Sequence, residues 1–188
     1  LLVLLHSGLF AQKQEYSSKN KSAIKNYEQA TRYYDSKNNE AALKELENAI
    51  SKDEKFVEAY MLSANVYVDM DQYDKAIEQY NKALKLAPDF FPNSWYTLAQ
   101  IELNTGRYAE AKNHFNKFLT YPKISETLKK KTIRGLENCD FALIALQHPV
   151  NFNPINLGES INTAADEYYP SFTVDGSTLV FTRNEKDP

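Results

Sequence analysis

The chain has 188 residues, 43% of them hydrophobic and 25% charged, with 22 basic against 25 acidic side chains and a formal net charge of −3. That balance supplies no basic field for nucleic acid. A single cysteine, Cys139, excludes an intrachain disulfide framework and any CxxC metal or redox motif.

Leu1–Phe10 is apolar and is followed by Ala11-Gln12. A run of this length is too short to span a bilayer and suits the h-region of a secretory signal peptide, with Ala11 before the cleavage point. The lack of an initiator Met and of a basic n-region reads as a clipped N-terminus. No cysteine stands near Ala11, so the sequence offers no lipoprotein attachment site there. Residues 12–21 read as a polar, extended leader.

Residues 22–122 carry helical hairpins in register. In the middle copy, Val57–Pro88, Tyr60, Ala64 and Tyr67 recur at steps of four and three, as do Ala76, Tyr80 and Ala83. That spacing puts each trio on one helix face, where the alanines admit a neighbouring helix closely. The pattern moved back by 34 residues lands on Ala30, Tyr33, Ala42, Leu46 and Ala49, within Ser22–Glu54. Moved forward by 35, it lands on Trp95, Ala99, Ala111 and Phe115, within Pro92–Pro122. The one extra residue falls in a loop at Asp89–Asn93. Gly106 is expected at an inter-helix turn with positive φ, and Asp71 and Asn38 stand at or next to the matching turns. A single hairpin buries too little to stand alone, so the copies are expected to stack.

These three in-register copies resemble the tetratricopeptide repeat (TPR), whose period is ~34 residues. The departures are local: Gln29 and Ser63 stand at large aliphatic places, Glu102 replaces a first-helix aromatic, and Phe118 replaces a second-helix alanine. The third repeat is therefore expected to pack less regularly.

Residues 123–148 form one long helical pattern, with Ser125 as N-cap and Pro149 as terminator. Leu128, Ile133, Leu136, Phe141, Leu143, Ile144 and Leu146 supply its apolar face. It is expected to cap the open end of the third repeat. Residues 149–167 read as a linker. In 168–188, Phe172 and Val174 alternate with polar neighbours, Asp175-Gly176 is a hairpin signal, and Leu179–Thr182 is β-rich. The longer stretch from Asn151 to Arg183 resembles the start of a TolB-type β-propeller, through Pro170, Ser171, Phe172, Asp175, Gly176, Leu179 and Phe181. It corresponds to one partial blade.

No constellation for catalysis emerges, and no cofactor is expected. His6, His114 and His148 are scattered and read as surface or packing residues. Asp69, Asp71 and Asp74 fail as a calcium loop, because the glycine place is Asp74 and the closing glutamate place is Tyr80. No metal site follows. Cys139 reads as a buried structural thiol.

The TPR resemblance implies a concave groove along the first helices that holds extended or helical peptides. By helical phase its facing residues are Tyr27, Thr31, Tyr34, Met61, Asn65, Val68, Tyr96, Gln100 and Leu103. Aromatic, Met and amide side chains suit an apolar protein or peptide partner. The lysines and arginines of the chaperone-type carboxylate clamp are nearly absent.

The fold expected is thus mainly α, a TPR solenoid of three hairpins plus a capping helix, followed by the start of a β-propeller. The whole order resembles an envelope family that joins TPRs, a TolB-type propeller and a C-terminal OmpA-like domain, some members of which belong to type IX secretion and gliding machinery. That resemblance implies a non-catalytic scaffold in the periplasm, associated with the outer membrane. Peptidoglycan binding is implied only through an OmpA-like domain, which these residues do not include. A periplasmic sensor using the propeller, or a propeller enzyme with catalytic residues beyond Pro188, remains open beside it.

Overall fold

The computed structural model describes residues 16–150, 153 and 155–184. The signal segment at Leu1–Ala11, the first part of the leader and the last four residues of the propeller stretch lie outside the described residues. The chain divides into two units, one running to His148 and one starting at Pro149.

The first unit is helical: α1 (Lys21–Asp35), α2 (Asn39–Lys52), α3 (Val57–Asp69), α4 (Tyr73–Leu86), α5 (Asn93–Asn104), α6 (Tyr108–Leu119) and α7 (Glu126–Gln147). The helices pair as α1–α2, α3–α4 and α5–α6, and each hairpin packs on the next. The expected register holds. Ala30, Ala64 and Ala99 of the first helices are fully buried, and so are Ala42, Ala76 and Ala111 of the second helices. Their small side chains let the helix axes approach, while Leu46, Leu98 and Phe115 fill the space between. Each such large side chain contributes about 1.5–3 kcal/mol on leaving water.

The three hairpin turns repeat one geometry. Lys37, Asp71 and Gly106 adopt left-handed φ values of 60°, 56° and 80°. The next residue in each case, Asn38, Gln72 or Arg107, donates its N–H to the carbonyl of Tyr33, Tyr67 or Glu102. This is the Schellman closure of a helix C-terminus, which needs one left-handed residue. The first turn uses Lys37 for it, while its neighbour Asn38 caps α2 through a hydrogen bond from Ala41 N–H.

The leader was expected to be extended and polar, yet its last residues are docked. Tyr16 sets its ring edge-on to Tyr27 and Phe56, at centroid distances of 5.4 and 5.9 Å. Ser17 donates through its N–H and its hydroxyl to the Glu58 carboxylate. Its Oγ also accepts the N–H of Val57 at 3.0 Å. Phe56, at the N-cap of α3, has no side chain that can cap, so Ser17, 40 residues before Val57, does this instead. Ser18 is buried and bonds Asp53. Asn20 caps α1 by accepting from Ser22 and Ala23.

At the other end α7 packs on α6 and α5, starting from Ser125, whose Oγ accepts Leu128 N–H at 3.3 Å. The buried side differs from the one expected from hydrophobicity. Thr132, Gly135 and Cys139 are buried, with Leu136 packed beside them, whereas Ile133, Phe141, Ile144 and Leu146 are exposed. Close approach to Phe115 selects small residues here, and apolar content alone points to the wrong side. Phe118 fills its buried place by laying its ring against Tyr96 at 5.7 Å.

The second unit contains β1 (Asp166–Phe172) and β2 (Leu179–Asn184), which pair antiparallel with Asp166 opposite Asn184 and Phe172 opposite Leu179. The linker is thus shorter than expected, because Asp166 and Glu167 already belong to β1. A bulge lies between Tyr168 and Ser171, with Tyr169 at φ 53°. The turn uses Gly176 at φ 68°. Asp175 accepts from the Thr173 and Ser177 hydroxyls and from Ser177 N–H. These bonds favour the ionised form and hold the Asp175 carboxyl down at about 2. The expected Asp-Gly hairpin is present, and it is the only sheet among the described residues.

Candidate functional site

A cavity of 410 Å³ opens between the ends of the first helices. Tyr34 of α1 forms one wall. Asn65, Val68 and Asp69 come from the last turns of α3, and Thr97, Gln100, Ile101 and Asn104 from α5. Two rings from α4 complete it, Tyr73 at the helix start and Tyr80 deeper. The spacing of residues 65 and 100, both four places before the last residue of their helix, puts the two amides at the same level. The Tyr80 hydroxyl donates to Asn65 Oδ1 and so orients that amide.

Four of the nine residues expected in a groove meet in this cavity: Tyr34, Asn65, Val68 and Gln100. The other five do not line it; Met61 is buried and the remaining four are half-buried. Met61 is buried against Val57, Tyr60 and Ala83. Tyr96 lies over Phe115 and Phe118, and Leu103 packs on the cluster shared with Leu136 of α7. Tyr27 is partly covered by Tyr16 and Phe56, and Thr31 returns its hydroxyl to Tyr27 O at 3.0 Å. Helical phase identifies the side of the helix but not what the next hairpin, α7 or the docked leader covers. Tyr73 and Tyr80 escaped the sequence reading because they stand on a second helix.

The charged groups near the cavity are specific. Lys37 Nζ lies 3.7 Å from Asp69 Oδ2 and 5.6 Å from the centroid of the Tyr34 ring. Burial, together with a hydrogen bond to Asp69, raises the Tyr34 hydroxyl above its ordinary range. Asp71 accepts the Tyr73 hydroxyl at 2.7 Å, and Asp74 pairs with Arg107 at 2.8 Å. These contacts account for Asp69, Asp71 and Asp74. His114 meets the buried carboxylate of Glu102 at 2.7 Å and stacks near Trp95. Cys139 is buried, which pushes its thiol up and leaves it a poor nucleophile.

Burial pushes the Tyr27 and Tyr80 hydroxyls up to about 12. In the unfolded chain a tyrosine titrates near 10. The folded state therefore holds these protons more tightly. The stability they carry is complete below pH ~10 and is lost as pH rises toward ~12. At pH 11 each should cost about 1 kcal/mol, less for the partly covered Tyr27. Urea midpoints should fall from pH 9 to 11, and the fall should shrink in Tyr80→Phe. An unchanged slope in that variant would show that Tyr80 is not desolvated.

Two tetratricopeptide-repeat family models match, at residues 57–90 and 92–123. A curated relative, anaphase-promoting complex subunit 3 of Schizosaccharomyces pombe, is 33% identical over 76 residues, 40% of this chain. The match spans 11% of that subunit. Among solved structures, the first TPR of Spaghetti (RPAP3) bound to the HSP90 peptide SRMEEVD superposes with a TM-score of 0.56 at 15% identity. It covers 65% of this chain and 94% of that one. The Yersinia enterocolitica type III secretion chaperone SycD, in complex with a peptide of the translocator YopD, superposes at 0.53 with 20% identity, covering 65% and 93%. At these identities the likeness is one of fold. The chain contains tetratricopeptide repeats, and no enzyme family is indicated.

Proposed function

We propose that this chain is a non-catalytic scaffold that binds an extended protein segment in the cavity at the ends of α1, α3 and α5. The observation that carries the reading is the cavity itself. Asn65, Gln100 and Asn104 supply amides that can donate to and accept from a peptide backbone, and Tyr34 and Tyr73 supply aromatic surface beside them. Small, preformed, partly apolar clefts with a few convergent polar groups are the usual form of a binding site. Two of the solved structures with this fold hold peptides, by their own descriptions.

The setting proposed is the periplasm, in an assembly associated with the outer membrane and peptidoglycan. Its support is the sequence resemblance from Asn151 to Arg183 and the apolar Leu1–Phe10 run. The Asp175-Gly176 hairpin fits the first blade of a propeller. In that hairpin Tyr169, Phe172 and Val180 are exposed, as expected of a blade that needs neighbours.

The test is selection of a random twelve-residue peptide library against the wild type, Gln100→Ala and Lys44→Ala. Lys44 is exposed on α2, a second helix. Peptides enriched by the wild type should bind Gln100→Ala at least ~5-fold more weakly and Lys44→Ala equally. Equal binding to all three proteins would remove the cavity from the recognition surface.

A further inference from the structure

Resting on that groove reading, we infer that the cavity selects a basic side chain from the segment it binds. Tyr34, Tyr73 and Tyr80 present three aromatic rings to one space, and Asp69 supplies a carboxylate at its edge. Ring faces are negative and attract a cation within about 6 Å, most strongly where water is partly excluded. A planar guanidinium also stacks on such rings and bonds a carboxylate through two N–H groups, which an ammonium cannot do.

A cation already occupies part of this environment. Lys37 holds its ammonium over the Tyr34 ring and against Asp69. Its side chain is 80% exposed, and its distance to the carboxylate is 3.7 Å. An exposed pair of that length is weak and exchanges readily with solvent. Lys37 is therefore an internal stand-in for the ligand's cation, displaced when a better-fitting one arrives. The turn geometry explains its place, because residue 37 is the left-handed residue that closes α1.

The other charges nearby do not reverse the sign. Asp71 adds a second carboxylate beside Tyr73, while Arg107 is engaged by Asp74. The C-termini of α1, α3 and α5 lie at this end together with the N-termini of α2, α4 and α6, so the helix dipoles offset each other. Side-chain charge decides, and it is acidic. An acidic segment would meet Asp69 and Asp71, and the residues lining the cavity include no lysine or arginine to hold it.

The experiment uses the full chain and three capped pentapeptides, acetyl-Ala-Leu-Xaa-Leu-Ala-amide, with Xaa as Arg, Gln or Glu. Binding is read by NMR from the side-chain amide signals of Asn65, Gln100 and Asn104. The Arg peptide should bind at least ~3-fold more tightly than the Gln peptide, the range expected of one cation over tyrosine, and the Glu peptide should be weakest. Asp69→Asn should narrow the Arg-to-Gln ratio. Lys37→Ala, which removes the internal competitor, should widen it about 2-fold or more. Equal affinities for all three peptides would overturn the basic selectivity and leave the groove reading standing. No amide shift with any peptide would overturn both. A Lys37→Ala variant with a narrower ratio would show that Lys37 helps to hold the ligand, and would overturn the stand-in role.

Discussion

Gly135→Leu is expected to lower the free energy of unfolding by about 3 kcal/mol, the upper part of the range for overpacking a filled core. A Cβ at this place would lie 2.6 Å from Phe115 Cζ and 2.7 Å from its Cε2, well inside contact distance. The ring has nowhere to retreat. Phe115 is fully buried beside Ala99, Ala111 and Cys139, with Tyr96 5.9 Å away. Gly135→Ala should cost less, because about 1 kcal/mol of helix propensity is recovered against the strain. Placing Phe115→Leu in the Gly135→Ala background should restore part of the loss, since the two sites share one space. Urea unfolding of the four proteins measures this. A Gly135→Leu midpoint equal to the wild type would mean that α7 does not lie against Phe115.

His114→Ala should cost about 3 kcal/mol, the lower end for breaking a buried pair, because the imidazole is partly exposed. The Glu102 side chain retains only 2% of its exposure. Its carboxylate contact is His114 Nδ1, and the alanine variant leaves that carboxylate without it. The double variant Glu102→Leu/His114→Leu should return to within about 1 kcal/mol of the wild type, since an apolar pair of similar volume has no charge to desolvate. Thermal and urea unfolding of the single and double variants supply the double-mutant cycle. If His114→Ala alone is neutral, water must reach Glu102 and the pair is a surface contact.

The repeat register was legible because it depends on local chemistry that recurs. Ala30, Ala64 and Ala99 are small wherever helices approach, and Gly106 marks a turn that Asp71 and Lys37 also make. Ser125 announced α7 by the same local logic. The Glu102–His114 pair was not legible as a pair. Glu102 at an aromatic place signals a buried acid needing a partner, but the partner stands twelve residues away on the opposite helix. The groove was half legible for a related reason. Period and phase put Asn65 and Gln100 on the sides of α3 and α5 that open on the cavity. They do not show that Met61 is buried against Val57, Tyr60 and Ala83, or that Tyr96 and Leu103 are partly covered by α6 and α7. The docked leader was the least visible, since Tyr16, Ser17 and Ser18 carry no periodic signal of their own.

The serine that caps α3 from 40 residues away has a consequence for the order of folding. Joining Ser17 to Val57 in an otherwise open chain would close a loop costing roughly 3 kcal/mol of entropy. Once α1 and α2 have zipped together, the same contact closes only a few loose residues at each side. The clasp is therefore expected to form after the first hairpin, late on the path and largely beyond the transition state. Interactions of that kind act on the escape rate. Ser17→Ala should speed unfolding in the chevron's denaturing limb and leave refolding nearly as fast as before, so the N-terminal clasp governs how long the first repeat stays closed.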